Sequence, residues 1–311
     1  MFPMIGGEEL RKLLPMGAAV DALEAAFASG DLPSAPLRSH VETSAGRLLA
    51  MPAASSPGAG VKLITVTPGN PGRGLPLIQG LYVLFSPINQ EPEAAIHGAA
   101  LTALRTGAVS GLATRHLSRD DAATLVVFGA GTQARSHVEA MQAVRPIARV
   151  TIVSRSADRA EELAGEVRAR GLSAAVGTAD DVSGADVVCT CTTSPMPVFD
   201  GTLLTDGTHV NAVGAYTPET RELDDETLLR ARVVVESREI ALAEAGDLLI
   251  PLRAGVIGED HVVADLAEVV RGAPVRRDER DVTVFKSVGV AFEDLIVARA
   301  AVDQLVGRLG A

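Results

Sequence analysis

The chain has 311 residues, of which 47% are hydrophobic and 22% are charged, and its formal net charge is -11 at pH 7. These proportions are typical of a globular protein with an apolar core, and they argue against disorder. The acidic balance disfavours nucleic acid and anionic membrane as partners, because both are bound through basic patches.

The first third of the chain shows a helical pattern, then a strand pattern, and then a helical pattern again. Apolar residues at helical spacing predict helix within residues 6–29. From about Gly46 to Glu91, short β-rich runs between Pro/Gly clusters predict an antiparallel meander, and helical spacing returns over residues 97–116. The N-terminus lacks the basic and apolar regions of a secretory signal, and the longest uncharged stretch, 74–90, is broken by proline and glycine. We therefore expect a cytoplasmic protein without a membrane span.

From Thr124 onwards, strand and helix patterns alternate, which indicates βαβ units and a parallel sheet. A terminal amphipathic helix is predicted over Val290–Leu309. Cys189 and Cys191 lie one residue apart in an apolar run, so we interpret them as buried small hydrophobic side chains and expect no disulfide framework. No metal site is expected. The predicted fold class is α/β, with a Rossmann-type doubly wound domain over residues 116–289 and an α+β domain formed by 1–115 with 290–311.

A glycine-rich turn follows the first strand of the alternating region. It reads Gly129, Ala130, Gly131, Thr132, Gln133, Ala134, which is G-x-G-x-x-A between an apolar strand and a helix. The first glycine permits a tight turn, the second lets a pyrophosphate approach the backbone, and the alanine allows close packing of helix on strand. This context favours a dinucleotide-binding turn over a purely structural glycine turn.

The second strand of the unit ends at Ser154, Arg155 and Ser156. An acidic residue at this position would bind the ribose 2′-hydroxyl of NAD, whereas serine and arginine can hold a 2′-phosphate. NADP(H) is therefore favoured over NAD(H), with Arg155 as a solvated loop charge as the alternative. Thr190, at the end of a later strand, is also a candidate cofactor contact.

Several segments around the turn resemble the ornithine cyclodeaminase and mu-crystallin family. They extend from Leu37 to Gly289, and the most specific are Leu101–Ala108, with the motif Leu-Thr-Ala-Leu-Arg-Thr, and Val284–Gly289, with Phe-Lys-Ser. The resemblance implies a Rossmann domain flanked by a substrate-binding and dimerisation domain, and a homodimer.

The resemblance also assigns roles to individual residues. Arg38 and Arg105 look like the family's carboxylate-binding arginines, and Lys62 looks like its substrate-contacting lysine. Lys286 and Ser287 match an element that lies near the nicotinamide in the family, so the resemblance implies that they contact the cofactor. A structural ion pair for Arg105, and a structural role for Lys286 and Ser287, are the alternatives.

One segment departs from the family pattern. Ornithine cyclodeaminases carry a catalytic Asp shortly after Asn-Ala-Val-Gly, and here Tyr216 stands where that Asp would be. The missing carboxylate disfavours deamination and favours reduction of a cyclic imine, as in mu-crystallin. Tyr216 either hydrogen-bonds the substrate nitrogen or packs as an aromatic side chain.

The resulting expectation is an NADPH-dependent reductase of a small cyclic imino acid, of the pyrroline-2-carboxylate or piperideine-2-carboxylate type. Three alternatives remain open at this point. The protein is an amino-acid dehydrogenase resembling alanine dehydrogenase, an ornithine or lysine cyclodeaminase, or a crystallin-like protein that binds NADPH without catalysis.

Overall fold

The computed structural model describes residues 2–56 and 58–309 of the chain. Its residues form two compact units: one runs as far as Arg105 and resumes at Val290, and the other comprises Thr106–Gly289. Helix α3 (Gly98–Leu117) continues through the point where the first unit gives way to the second.

The first unit contains a six-stranded sheet. In sheet order its strands are β1 (Met4–Ile5), β6 (Pro92–His97), β5 (Ile78–Phe85), β4 (Gly58–Val66), β3 (Gly46–Ser55) and β2 (Ser39–Thr43). Strands β2 to β6 pair antiparallel with their neighbours, which confirms the predicted meander, and β1 is parallel to β6. Three helices complete the unit: α1 (Gly7–Leu13), α2 (Met16–Ser29) and α10 (Ala291–Leu309).

The sheet of the first unit has one covered face, and α10 packs on it against β3, β4 and β5. Along β4 the residues alternate between buried and more exposed positions, so that Lys62 and Ile64 are buried while Leu63 is exposed. Because side chains alternate across a strand, this pattern places Lys62 on the face that α10 covers. The helix predicted within residues 6–29 is two helices, and Pro15 lies between them as the N-cap of α2.

The second unit is a doubly wound domain around an eight-stranded sheet, in which every recorded strand pair is parallel. In sheet order its strands are β13 (Val262–Asp265), β12 (Ala231–Val235), β14 (Val282–Lys286), β11 (His209–Ala212), β10 (Val187–Thr190), β7 (Thr124–Phe128), β8 (Arg149–Val153) and β9 (Ser173–Val176). Its further helices are α4 (Thr132–Val144), α5 (Ala157–Ala169), α6 (Asp225–Arg230), α7 (Arg238–Glu244), α8 (Gly246–Arg253) and α9 (Leu266–Val270). The predicted α/β class with a Rossmann-type domain is confirmed.

The central strands of this sheet position the candidate cofactor residues. Strands β7, β10, β11 and β14 are almost wholly buried and neighbour one another in the sheet. Since all are parallel, the segments that follow them emerge at one edge, which is where open α/β sheets bind ligands. The glycine turn follows β7, and Lys286 ends β14.

Two features are absent from the described residues. No helix in that part of the chain combines the length and apolarity needed to cross a bilayer. Within the same residues, no group of three or more His, Cys, Asp or Glu side chains is arranged to hold a metal ion.

Candidate active site

The glycine turn has the backbone that a dinucleotide requires. Gly129 has a φ of +104°, and a Cβ there would lie 2.6 Å from the carbonyl oxygen of Cys191, so only glycine fits. A Cβ on Gly131 would meet no heavy atom within 4 Å, so the backbone can be approached closely. Gly131 is the N-cap of α4 and makes no side-chain cap, which leaves the N–H groups of the first turn for a phosphate. The turn therefore fits the pyrophosphate of a nicotinamide dinucleotide.

The three residues after β8 form the start of the next helix. Ser156 is the N-cap of α5, where its side chain accepts a hydrogen bond from the Arg159 N–H, and its own N–H donates to Ser154 Oγ at 3.3 Å. Arg155 is exposed between them. A guanidinium beside two serine hydroxyls at this position is chemically suited to a 2′-phosphate.

The predicted cations of the first unit lie in one buried cluster. Lys62 Nζ donates to both carboxylate oxygens of Asp294, at 3.0 and 2.8 Å. The guanidinium of Arg105 is 3.0 Å from Glu293 Oε2 through Nη1 and 3.3 Å from Asp294 Oδ1 through Nε. Lys62, Glu293 and Asp294 are fully buried, and Arg105 is 5% exposed. Ion pairs in such a setting are held strongly, because little solvent screens them.

Burial has the largest influence on the charge of Lys62 in this cluster. Burial, reinforced by the charge of Arg105, lowers the pKa of Lys62 to about 8, while the charge of Asp294 opposes that shift. Arg38 is half-buried and near enough for its charge to lower the same pKa. The cluster thus brings the positive charges of Lys62, Arg105 and Arg38 to one place, beside the two carboxylates of α10. Guanidinium and ammonium groups gathered in this way suit a carboxylate ligand.

A second buried cluster lies at the sheet edge of the other unit, around Glu222. Its carboxylate accepts hydrogen bonds from Thr190 Oγ1 at 2.8 Å, from Thr192 N and Oγ1 at 2.7 and 2.6 Å, and from Gly214 N at 2.7 Å. A fifth donor, the N–H of Ala215, is at 3.3 Å. Burial raises the pKa of Glu222 above its ordinary value. This one side chain joins the ends of β10 and β11.

Lys286 holds the same segment from the other side. Its Nζ donates to the carbonyl oxygen of Ala215 at 2.5 Å and lies 2.8 Å from Asp247 Oδ2, and both charged side chains are buried. Asp247 Oδ1 in turn accepts from the N–H of Glu222 at 2.7 Å. Gly214 is required in this segment, because a Cβ would lie 2.1 Å from the Thr192 carbonyl oxygen. The polypeptide leading to Tyr216 is thereby fixed.

Ser287 is also buried, and its hydroxyl donates to Glu236 Oε1 at 2.5 Å. The same carboxylate accepts from the N–H groups of Val288 and Gly289, at 3.0 and 2.8 Å. Lys286 and Ser287 therefore make their observed hydrogen bonds to other protein groups, and they shape the sheet edge.

The remaining sequence-based candidates lie as follows. Thr190 is buried at the end of β10, where its hydroxyl is committed to Glu222, and Tyr216 is half-buried after β11. Cys189 is buried and Cys191 half-buried, and both are free thiols. Burial raises the pKa of Cys189 to about 12, so this thiol is protonated at neutral pH and is no nucleophile.

The acidic partners were missed by sequence reasoning. These are Glu293, Asp294, Glu222, Asp247 and Glu236, each of which stands in or beside an apolar run. A signal for them was available in the sequence, because Lys62 and Lys286, two of only three lysines in the chain, each stand in an apolar run. Two of the three lysines are fully buried, and a buried lysine requires a carboxylate partner.

The chain is similar to known proteins along nearly its whole length. The model of the ornithine cyclodeaminase/mu-crystallin family matches residues 4–308. A Δ1-pyrroline-2-carboxylate reductase of Bacillus cereus is 35% identical over 316 residues, covering 98% of this chain and 97% of the relative. The solved structure of Thermococcus litoralis Δ1-pyrroline-2-carboxylate reductase, in complex with NADH and L-proline, is 35% identical with a TM-score of 0.94, covering 99% of this chain and 98% of that one. An archaeal alanine dehydrogenase dimer with bound NAD is 34% identical with a TM-score of 0.92, covering 99% and 97% of the two chains.

Proposed function

The chain belongs to the ornithine cyclodeaminase/mu-crystallin family, and we propose that it is an NADPH-dependent reductase of a small cyclic imino acid, of the pyrroline-2-carboxylate or piperideine-2-carboxylate type. The observation that carries this proposal is the buried cluster in which Lys62 and Arg105 lie beside the carboxylates Glu293 and Asp294, with Arg38 near enough to act on Lys62 by its charge. Arginine and lysine side chains gathered in this way suit a substrate carboxylate. A second carboxylate would meet the acidic side chains of α10, so a monocarboxylate is favoured.

The catalytic roles follow from the chemistry of each group. Arg38 and Arg105 hold the substrate carboxylate, since a guanidinium fork matches its two oxygens. Lys62 either donates the proton that makes the imine carbon electrophilic or orients the substrate through a hydrogen bond. Both roles use its ammonium form. Nicotinamide dinucleotide, when bound, supplies the hydride, and the protein contributes mainly positioning and charge.

The second unit is assigned the cofactor. The turn from Gly129 to Ala134 binds the pyrophosphate, and Arg155 with its two serine neighbours binds the 2′-phosphate, which favours NADP(H) over NAD(H). Thr190, Lys286 and Ser287 act through the backbone segments that they fix, on the nicotinamide side. Tyr216 retains two alternative roles, a hydrogen bond to the substrate nitrogen or packing as an aromatic side chain. The first unit is assigned substrate binding and dimerisation.

Cyclodeamination is disfavoured by the segment after β11. Residues 214–219 carry Tyr216 where a cyclodeaminase has its Asp, and the acid in this segment, Glu219, is exposed beyond Pro218. The second candidate is amino-acid dehydrogenation, which the likeness to alanine dehydrogenase supports. Such an enzyme would condense a 2-oxo acid with ammonia before reducing it, so its cofactor consumption would depend on ammonia.

The proposal is tested by cofactor oxidation. Purified protein is offered pyrroline-2-carboxylate, piperideine-2-carboxylate, or pyruvate with and without ammonia, each with NADPH and with NADH. We expect oxidation with at least one cyclic imine in the absence of ammonia, and faster with NADPH. Activity on pyruvate that requires ammonia, without activity on either imine, would replace the proposal with the dehydrogenase. Cofactor binding without any turnover would replace it with a binding protein.

The outer face of the first sheet supports a homodimer. Its exposed side chains include Val41, Leu48, Leu63 and Leu81, which are 40% to 63% exposed. They come from four adjoining strands, and Val41 pairs directly with Leu48, and Leu63 with Leu81. A contiguous apolar patch of this kind marks a protein interface. A second copy of the chain is assigned to it, because the similar alanine dehydrogenase is a dimer.

A further inference from the structure

The Lys62 ammonium lies in an environment that opposes its charge. It is fully buried, and the charged groups that act on it come from α3, from α10 and from the segment before β2, namely Arg105, Asp294 and Arg38. Tyr82 of β5 pairs with Lys62 in strand register and is also fully buried, and its hydroxyl makes no hydrogen bond within the described part of the chain. Glu293, the neighbour of Asp294 on α10, is paired with Arg105.

Asp294 is the group in this environment that opposes the loss of the charge. Burial and the two arginines lower the pKa of Lys62, whereas the carboxylate of Asp294 raises it by its charge and its hydrogen bonds. The contact is also geometric, since both oxygens receive the ammonium at 3.0 and 2.8 Å. Because α10 packs on β4, the helix delivers this carboxylate directly onto the strand that carries Lys62.

We propose that Asp294 is the positioning residue of Lys62: its carboxylate fixes the ammonium in place and stabilises the positive charge that the reaction uses. The catalytic consequence rests on the proposed function, whereas the effect of Asp294 on Lys62 does not. Asp294 acts through Lys62 and is assigned no contact with substrate.

Removing the negative charge of Asp294 should lower the pKa of Lys62. The Asp294→Asn variant keeps the shape of the side chain and removes its charge, so the pKa of Lys62 falls below its value of about 8. An opposite charge at hydrogen-bond distance shifts a pKa by about 1 to 3 units. The variant is therefore expected to lose the ammonium form at neutral pH. In activity, the alkaline limb of the kcat profile moves to lower pH by about one unit or more.

The test that does not need activity is lysine-selective NMR. The chain has only three lysines, so the side-chain signals of Lys12, Lys62 and Lys286 can be followed separately. Lys12 is exposed and Lys286 is paired with Asp247, so neither should respond to a change at Asp294. A Lys62→Met variant assigns the signal. We expect Lys62 to titrate near pH 8 in the unchanged protein and at least one unit lower in Asp294→Asn.

Two further variants make the result decisive. Asp294→Glu keeps the negative charge, so the pKa of Lys62 should fall less in it than in Asp294→Asn. Asp303→Asn removes an exposed carboxylate of the same helix and should leave the pKa of Lys62 unchanged. The proposal is overturned if Asp294→Asn leaves the pKa of Lys62 unmoved. Should Asp294→Asn fail to fold, Asp294→Ser, which places a smaller neutral side chain at the same position, replaces it with the same expected and the same contradicting result.

The activity readout separates this inference from the proposed function. A displaced alkaline limb in Asp294→Asn supports the positioning role, whereas a loss of kcat that is uniform with pH contradicts it. If the unchanged protein reduces neither cyclic imine, the proposed function fails, and the NMR titration still decides the role of Asp294.

Discussion

At the scale of residues, the two buried lysines show how this chain places charge in its interior. Each has a buried aspartate within 2.8 Å, Asp294 for Lys62 and Asp247 for Lys286. Lys286 in addition donates to a backbone carbonyl, so its charge is spent on holding a segment. Lys62 instead lies near two further cations, Arg105 and Arg38, and the three are proposed to bind a substrate carboxylate. The same residue type thus has a structural role in one unit and a proposed catalytic role in the other.

The proposed preference for NADPH depends mainly on one exposed side chain, Arg155. Replacing Arg155 with alanine removes a charge-assisted hydrogen bond to the 2′-phosphate, worth about 1.5–3 kcal/mol. We expect kcat/KM for NADPH to fall at least tenfold while that for NADH is nearly unchanged, in steady-state assays with both cofactors. Arg168→Ala, in the last turn of α5, the helix that follows Arg155, is the control and should alter neither value. An equal loss with both cofactors would contradict the assignment of Arg155.

At the scale of elements, the ends of the central strands are joined by carboxylates rather than by side-chain packing alone. Glu222 receives five donors from β10, from Thr192 and from the segment after β11. Glu236, directly after β12, receives three from the segment after β14. Such carboxylates fix loops at the edge where a parallel sheet binds its ligands.

The Glu222→Gln substitution keeps one acceptor oxygen and replaces the other with an amide N–H₂ group, which then faces hydrogen-bond donors. The Glu222→Gln variant should lose about 2–3 kcal/mol of the free energy of unfolding and show a raised KM for the cofactor. Urea denaturation and steady-state kinetics measure the two effects. Glu219→Gln, three residues earlier and exposed, serves as the matched control. An equal free energy of unfolding for Glu222→Gln and the control would show that the hydrogen bonds to Glu222 do not stabilise the fold.

Two buried histidines tie the elements of the second unit together. His137 of α4 contacts Ser110 Oγ of α3 at 2.9 Å, and His209 of β11 contacts Thr283 Oγ1 of β14 at 2.9 Å. Burial lowers the pKa of His137 to about 4 and that of His209 to about 3. Both values lie below the ordinary value near 6.5, so the unfolded chain binds more protons than the folded one in acid.

The stability of the protein should therefore depend on pH in a defined window. The contribution of the two histidines is complete above about pH 6.5 and is lost as the pH falls towards 4, at about 1.4 kcal/mol per pH unit for each histidine. Urea titrations between pH 7 and 4 measure the slope. A His137→Gln variant should lose one histidine's share of it. An unfolding free energy that is flat across this range would refute the claim that these imidazoles are neutral when folded.

Local signals predicted the elements with strong periodicity, and longer-range pairing decided the others. The strand Thr124–Phe128 and the turn after it follow from apolar composition and glycine spacing, as the structure confirms. Strand β2, with its five residues all exposed, has no apolar alternation and forms because β3 pairs with it. The cations Lys62 and Arg105 were found through a family resemblance, whereas Glu293 and Asp294 were not. Their position opposite the cations depends on how α10 packs on the sheet, which spacing along the chain does not encode.

At the scale of the whole molecule, a strongly acidic chain is proposed to act on an acid. The formal net charge of -11 is compatible with this proposal, because the cations of the candidate site are clustered and buried. A carboxylate bound among them lies close to their positive charges, whereas solvent screens it from acidic side chains on the distant surface. The same proposal assigns the exposed apolar patch of the first sheet to a second copy of the chain.

A charge introduced into that patch should separate the two copies. Leu63 is 43% exposed, and Leu63→Glu would bury an unpaired carboxylate in the interface. Sedimentation equilibrium should show a dimer for the unchanged protein and a monomer for the variant. Leu229→Glu, at an exposed leucine of the second unit, should leave the dimer intact. A monomeric unchanged protein, or a dimer that survives Leu63→Glu, would contradict the assignment of this face.

The most direct measurement of the central proposal follows the reducing equivalent into the product. Purified protein is incubated with pyrroline-2-carboxylate and NADPH labelled with deuterium at the transferable position, and the product is analysed by mass spectrometry and NMR. The account predicts proline with one deuterium on the α-carbon, and the corresponding pipecolate when the six-membered ring is supplied. If neither ring yields a labelled amino acid with NADPH or NADH, this chain does not reduce carboxylated cyclic imines.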